Sequence, residues 1–250
     1  MKNIVLLVIA SVLMYSGNVY GQTDTTINGV SYTLFAPGLW VEVEGSGPSY
    51  PSGTVHCGDP TEVVEVTSTT GKVWMDRNLG ASQVATSSTD AASYGDLYQW
   101  GRAADGHQCR NSETTNTQSN TDQPGHGDFI IEFADWRSPQ NTNLWQGVNG
   151  VNNPCPEGYR VPTEAEWQDE IDSWGGGDFA ANAFASPLKF PMAGSRASFD
   201  GVLFAFDVAG LFWSSTFSST NSMHLFFSSD NTYVSANLRA LGFSVRCLKD

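Results

Sequence analysis

Basic residues are scarce in this chain. Twelve Lys and Arg stand against 26 Asp and Glu, for a formal charge of −14 at pH 7. A nucleic-acid groove needs clustered cations to displace condensed counterions, and the twelve here are scattered along the sequence. Binding to an anionic membrane surface is disfavoured for the same reason. The acidity reads instead as solubility outside a cell. Long apolar runs are missing too: the longest, residues 4–13, is too short to span a bilayer. There is no nucleophile elbow, no Gly-rich phosphate loop and no HExxH motif.

What is present begins with an export signal. Lys2 precedes the apolar run, and Val19-Tyr20-Gly21 offers small residues at the two key positions of a cleavage site. The sequence therefore divides into a signal peptide (1–21), a β-rich extension and linker (22–56) and a main domain (57–250). The chain has four cysteines, Cys57, Cys109, Cys155 and Cys247. An even number in an exported chain points to two disulfides, with three pairings possible. The favoured pairing is Cys155 with Cys247 and Cys57 with Cys109. A loop as long as that between Cys155 and Cys247 is worth about 4–5 kcal/mol on the chain-entropy argument. The rival is a zinc site, since His56 precedes Cys57 and His107 lies two residues before Cys109. An oxidising compartment favours the disulfides.

Turn residues dominate 22–56, with Asn28-Gly29 the strongest turn signal. Residues 30–35 and 39–43 read as short strands, and the Gly- and Pro-rich 45–53 as a linker. In the main domain, β-branched residues predict strands over 62–67 and 72–75. Tyr94, Leu97, Tyr98 and Gly101 fall at helical spacing, which predicts a helix within 91–104, although Gly95 weakens it. Residues 105–153 are rich in Asn, Gln, Ser, Thr, Gly and Asp. A stretch this long without regular pattern is usually functional or disordered; Trp136 and Trp145 point to an ordered long loop. The clearest local signal follows. Thr163 and Glu166 make a capping box, Trp167, Ile171 and Trp174 form one apolar stripe, and Gly175 stops the helix. From 188 onward short strands and turns alternate. Helices early and strands late make an α+β protein.

Five blocks resemble the Fibrobacter succinogenes major paralogous domain: "GKVWMDRNLGAS" (71–82), "YGDLYQWGRAADG" (94–106), "CPEGYRVPTEAEW" (155–167), "FWSST" (212–216) and "GFSVRCLKD" (242–250). They keep that family's order across residues 57–250. The family is similar to a divergent branch of the C-type-lectin-like fold, near the formylglycine-generating enzymes. The resemblance implies a C-type-lectin-like domain with two helices, short mixed antiparallel strands and long ordered loops. It also implies a secreted or surface protein with no settled activity. Related scaffolds bind varied ligands through their final strands; for this chain that is analogy.

The expected function is ligand binding or adhesion without catalysis, toward a glycan or a protein. The alternatives are an extracellular enzyme acting on polysaccharide or protein, and a purely structural surface protein. The recognition face is expected in the C-terminal strands, where aromatics sit among Ser and Asn as in adaptable binding loops. Its candidate residues are Phe217, Asn221, Met223, His224, Asp230, Asn231, Tyr233 and Asn237. Trp213 reads as core, because a large aromatic in mid-strand usually packs inward. Glu166 and Glu170 share a helix face, as a glycosidase pair could. A capping role and a solvated face are the better reading. A formylglycine-type oxidase needs a reactive thiolate, which a disulfide would remove. A calcium site would draw oxygen donors from Asp230 and Asn231 or from Asn152 and Asn153. The lectin tripeptides Glu-Pro-Asn and Trp-Asn-Asp are absent.

Overall fold

The computed structural model describes the strands within residues 24–42 by their backbone, and residues 48–250 in full. The expected signal peptide lies outside the described residues, as does the Asn28-Gly29 turn. The described residues fall into two compact units, the strands within 24–42 and residues 48–250. In the first, β1 (Asp24–Ile27), β2 (Val30–Ala36) and β3 (Leu39–Glu42) make an antiparallel meander, with a register shift between Leu34 and Ala36.

The second unit begins ten residues before Cys57. Residues 48–56 belong to it rather than to a linker: Val55 N–H donates to Ala104 O at 2.7 Å, Glu157 N–H donates to Ser49 O at 2.8 Å, and Tyr50 packs against the core. Its strands in chain order are β4 (Glu65–Thr67), β5 (Val73–Met75), β6 (Tyr98–Gln99), β7 (Thr114–Thr115), β8 (Phe129–Ile130) and β9 (Tyr159–Arg160). Two helices follow, α1 (Glu164–Asp172) and α2 (Phe179–Ala185). Then come β10 (Ser195–Arg196), β11 (Leu203–Phe204), β12 (Gly210–Ser218), β13 (Asn221–Phe227), β14 (Thr232–Asn237), β15 (Gly242–Phe243) and β16 (Leu248–Lys249). Two helices with many short antiparallel strands make an α+β domain. None of its described helices is long and apolar enough to cross a membrane.

The antiparallel meander β12–β13–β14 divides the core. Alternation along its strands sends Phe212, Leu225 and Phe227 to one side. There they meet Trp167, Ile171 and Trp174 of the α1 region, Ala180 and Ala183 of α2, and Phe190. Leu211 and Trp213 go to the other side, against Trp100, Trp136, Trp145, Phe243 and Val245. Trp213 is fully buried. Tryptophan indoles stitch this second layer to the backbone. Trp136 Nε1 donates to Trp100 O, Trp100 Nε1 to Ser214 O, and Trp213 Nε1 to Tyr98 O, at 2.7–2.8 Å. Two four-stranded sheets, β11–β10–β15–β6 and β4–β5–β16–β9, complete the domain. The tail "GFSVRCLKD" contributes β15 to one and β16 to the other. Cys247 between them is joined to Cys155, and Cys57 to Cys109. These are the favoured pairs, and the zinc alternative loses both of its thiolates.

α1 starts where its capping box predicts. Glu166 N–H donates to Thr163 Oγ1, and Glu166 Oε2 accepts from Thr163 N–H at 2.8 Å. The helix expected within 91–104 does not form. Only a 3₁₀ turn, Ala91–Ser93, appears before β6. Gly95 and Gly101 sit at φ +67° and +80°, left-handed positions that end any helix. A Cβ on Gly95 would lie 2.3 Å from Leu79 O, so the chain crosses its neighbour there. The second helix is instead α2, capped by Asp178, whose carboxylate accepts from Ala181 N–H at 2.9 Å.

Candidate functional site

The C-terminal meander does not present one face to solvent, because both of its sides carry core. Its candidate residues separate accordingly. Phe217 lies opposite Ser222, and Ser222 opposite Asn237, so Phe217, Asn221 and Asn237 gather at the β12–β13 turn. Asp230 and Asn231 are exposed in the β13–β14 turn at the other end. Five residues of strand, about 17 Å at the usual rise, separate the two ends. Tyr233 is half exposed and stacks on Phe226 at 4.7 Å between centroids. Met223 is half-buried. His224 is inside: it is 2% exposed, its ring lies 5.0 Å from that of Phe243, and its Nδ1 is 2.7 Å from Ser235 O. Inward alternation on β13 takes it out of any surface site.

The groups that could do acid–base chemistry are engaged by the fold. Arg160 binds both oxygens of Glu166 at 2.8 Å. Burial works against that carboxylate, yet Arg160 and Thr163 hold it at about 2. Glu170 is buried rather than solvated. Its Oε1 accepts from Ser68 Oγ and Thr70 Oγ1 at 2.5 and 2.6 Å, tying α1 to the β4–β5 turn. His107 and Asp105 look like part of a hydrolase triad, with Nδ1 2.7 Å from Oδ1. The other ring nitrogen, Nε2, accepts from Gln99 N–H at 3.0 Å. A base must have that nitrogen free to take a proton. Burial and the nearby Arg102 push His107 down to about 4, so the imidazole is neutral at pH 7. No group of three or more His, Cys, Asp or Glu suited to hold a metal occurs among the described residues.

A wide concavity lies elsewhere. It is a cleft of about 930 Å³ walled by residues 49–55, 103–105, 123–127 and 148–157. The volume is that of a site for a small ligand. Each wall is fixed from behind. Arg102, whose side chain is fully buried, donates Nη2 to His126 O at 2.8 Å, Nη1 to Asp128 O at 2.9 Å and Nε to Asp105 Oδ2 at 2.8 Å. Burial opposes ionisation of Asp105, but His107 and Arg102 hold it at about 2. Gln108 Nε2 donates to Val55 O at 2.7 Å, and Tyr50 Oη to Thr61 O at 2.8 Å.

The 148–157 wall is organised by two asparagines. Asn153 donates Nδ2 to Val148 O and Tyr159 O, and its Oδ1 accepts from Cys155 N–H. Asn152 sits at φ 62°, a left-handed position that Asn tolerates better than most residues. Its Nδ2 donates to Gly101 O at 2.9 Å and Asp122 O at 2.7 Å. Its Oδ1 is buried and has no partner. A buried acceptor left open is uncommon and calls for a donor. The lining combines amide groups, glycine backbone and the flat rings of Tyr50, Pro51, Pro154 and Pro156. Of the residues weighed for calcium, Asn152 and Asn153 are in this wall; Asp230 and Asn231 are on the meander.

The sequence did not single out this cleft. Its walls come from four separate segments, none periodic. The one available signal was the Asn- and Gly-rich composition of residues 105–153. No family model matches the chain, and neither a curated protein nor a solved structure matches it.

Proposed function

We propose that this protein is an extracellular, non-enzymatic recognition protein with a C-type-lectin-like domain of the major paralogous family, and that it binds a neutral, hydroxyl-rich ligand, a short glycan, in the 49–157 cleft. The observation that carries the reading is the lining of that cleft. Amides and backbone groups supply directional hydrogen bonds, and proline and tyrosine rings supply flat apolar walls. Sites for small ligands pair apolar walls with a few fixed polar groups in this way. Asp105 and Glu157 are the lining carboxylates, and no Lys or Arg lines the cleft, so anionic ligands are disfavoured. Two disulfides support an oxidising, extracellular setting.

The reading moves recognition from the C-terminal strands to the loops beneath residues 105–153. The test is a glycan array probed with the full chain and two variants. Asn149 is exposed on the cleft rim, and Asn149→Trp fills the space without touching the core. Phe217→Ala with Asn237→Ala alters the β12–β13 turn instead. Binding lost in the first variant and kept in the second is the expected outcome. The reverse pattern, or an array with no hits, would overturn the assignment.

A further inference from the structure

The hairpin of β10 and β11 runs against the usual rule for an edge strand. In "FDGVLFAFDV" (199–208) the alternate residues Val202, Phe204, Phe206 and Val208 are 58, 44, 49 and 63% exposed. Strand alternation normally turns the apolar set inward. Here the outward pair at the strand, Val202 and Phe204, is the large apolar one. In the turn that follows, Phe206 and Val208 are exposed as well, while small Ala205 packs on the core. Phe199 is 72% exposed. Phe133, 74% exposed, lies next in the chain to Glu132, whose N–H donates to Ser198 O at 2.8 Å. Single exposed apolar residues need no explanation, but contiguous ones mark interaction sites.

Two further features sit under this patch. β11 is the edge of its sheet. Ala197 N–H donates to Val202 O and Ser195 lies opposite Phe204, so the ladder's two-residue period turns the N–H and C=O of Leu203 away from β10. The backbone that follows is held in a costly shape, with Ala205 and Asp207 both left-handed at φ 58° and 64°. It is pinned there: Asp207 N–H donates to Met192 O at 3.0 Å, and Tyr94 Oη donates to Asp207 Oδ1. Such strain fixes Phe206 and Val208 in an outward position. The rim carries Glu132, Asp200 and Asp207. The nearby Arg196 is buried, with its guanidinium bound to Gly201 O, Cys109 O and Ser112.

We infer that this edge is a docking strand for an extended segment of another polypeptide, with apolar side chains at alternate positions and lysine or arginine between them. The segment adds a strand beside β11 through Leu203, lays its apolar side chains on Val202, Phe204 and Phe206, and sets its cations against the acidic rim. The rim argues against a second copy of this chain, which would bring like charges together. The inference does not depend on the cleft.

The test uses the full chain and a ten-residue peptide of alternating lysine and valine, followed by fluorescence anisotropy at low and at physiological salt. The lysine peptide should bind, and more weakly as salt rises. The same peptide with glutamate for lysine, and a version N-methylated on alternate residues, should each bind at least about tenfold more weakly. Val202→Ser with Phe206→Ser should weaken binding to a similar degree. An unchanged thermal unfolding midpoint confirms that this variant is folded. Asp200→Asn keeps the acceptor for Val202 N–H and should reduce the salt dependence. Equal binding of the lysine and glutamate peptides, or binding indifferent to the serine variant, overturns the inference. So does sedimentation with phosphatidylcholine vesicles, or dimerisation in sedimentation equilibrium, that the serine variant abolishes.

Discussion

At the scale of single residues, the domain is held together by buried cations. Five of the eight arginines, Arg77, Arg102, Arg196, Arg239 and Arg246, are at most 9% exposed. A fold with short strands leaves many loop carbonyls unpaired, and one guanidinium offers five donors in a fixed fork. Arg246 bonds Asn78 Oδ1, Met75 O and Leu188 O, and lies over the ring of Phe190. Arg239 bonds Asn221 O and lies 4.4 Å from the centroid of Trp100. The scarcity of basic residues was plain in the sequence; that most arginines face inward was not, because nothing local distinguishes a buried arginine. Arg102→Ala removes two carbonyl contacts and leaves Asp105 short of its cation, so chemical denaturation should show a loss of about 3–5 kcal/mol.

Buried histidines give the domain an acid response. Burial lowers His107 and His224 from 6.5 to about 4. Between those values the unfolded chain binds two protons that the folded one does not. This stability is complete above pH 6.5 and is lost as pH falls toward 4. Burial raises Asp96 from 3.8 to about 7, which acts the other way: its contribution is present below 3.8 and lost as pH rises through 7. The two imidazoles are opposed by Asp96 and also by Asp135, whose carboxyl burial raises as well, so unfolding takes up less than one net proton. Denaturation stability should therefore rise from about pH 4.5 to 6.5, by at most about 1.4 kcal/mol per pH unit. A His224→Phe variant should flatten that slope. A stability that is level across this range, or that falls, would contradict the assignment.

At the scale of elements, α1 was legible because its signals are local: a capping box, a stripe at 3.6-residue spacing and a glycine stop. Thr163→Ala should cost about 1 kcal/mol by thermal or chemical unfolding, the usual worth of such a cap. The stretch 91–104 was misleading because Tyr94, Leu97 and Tyr98 are core residues of an irregular chain. Their spacing imitates a helix, and the decisive information is the left-handed backbone at Gly95 and Gly101. α2 was missed because "FAANAFA" is short and uniformly apolar or small. Strands of two residues, such as β6 and β15, fall below the length at which alternation can be recognised. Their pairing is set by the tryptophan and arginine contacts around them. The tail is buried on both faces of its strands, with Phe243, Val245 and Cys247 on one and Ser244, Arg246 and Leu248 on the other.

At the scale of the whole molecule, the C-terminal meander is the partition of a double core, and the ligand face proposed above belongs to the loops. That division follows from alternation on β12 and β13: strands flanked by core on both sides have little surface to display. The long 105–153 region carried the hint in its composition. Arg102, Asn152 and Asn153 turn that hint into a rigid wall. The most direct test is an amide-resolved NMR titration of the full chain with the strongest glycan from the array. The account predicts that the largest shifts fall on Gly125, Gly127, Asn149 and Gly150, with the amides of 218–221 and 228–231 unmoved. Shifts concentrated in those two turns, with the cleft amides silent, would contradict it.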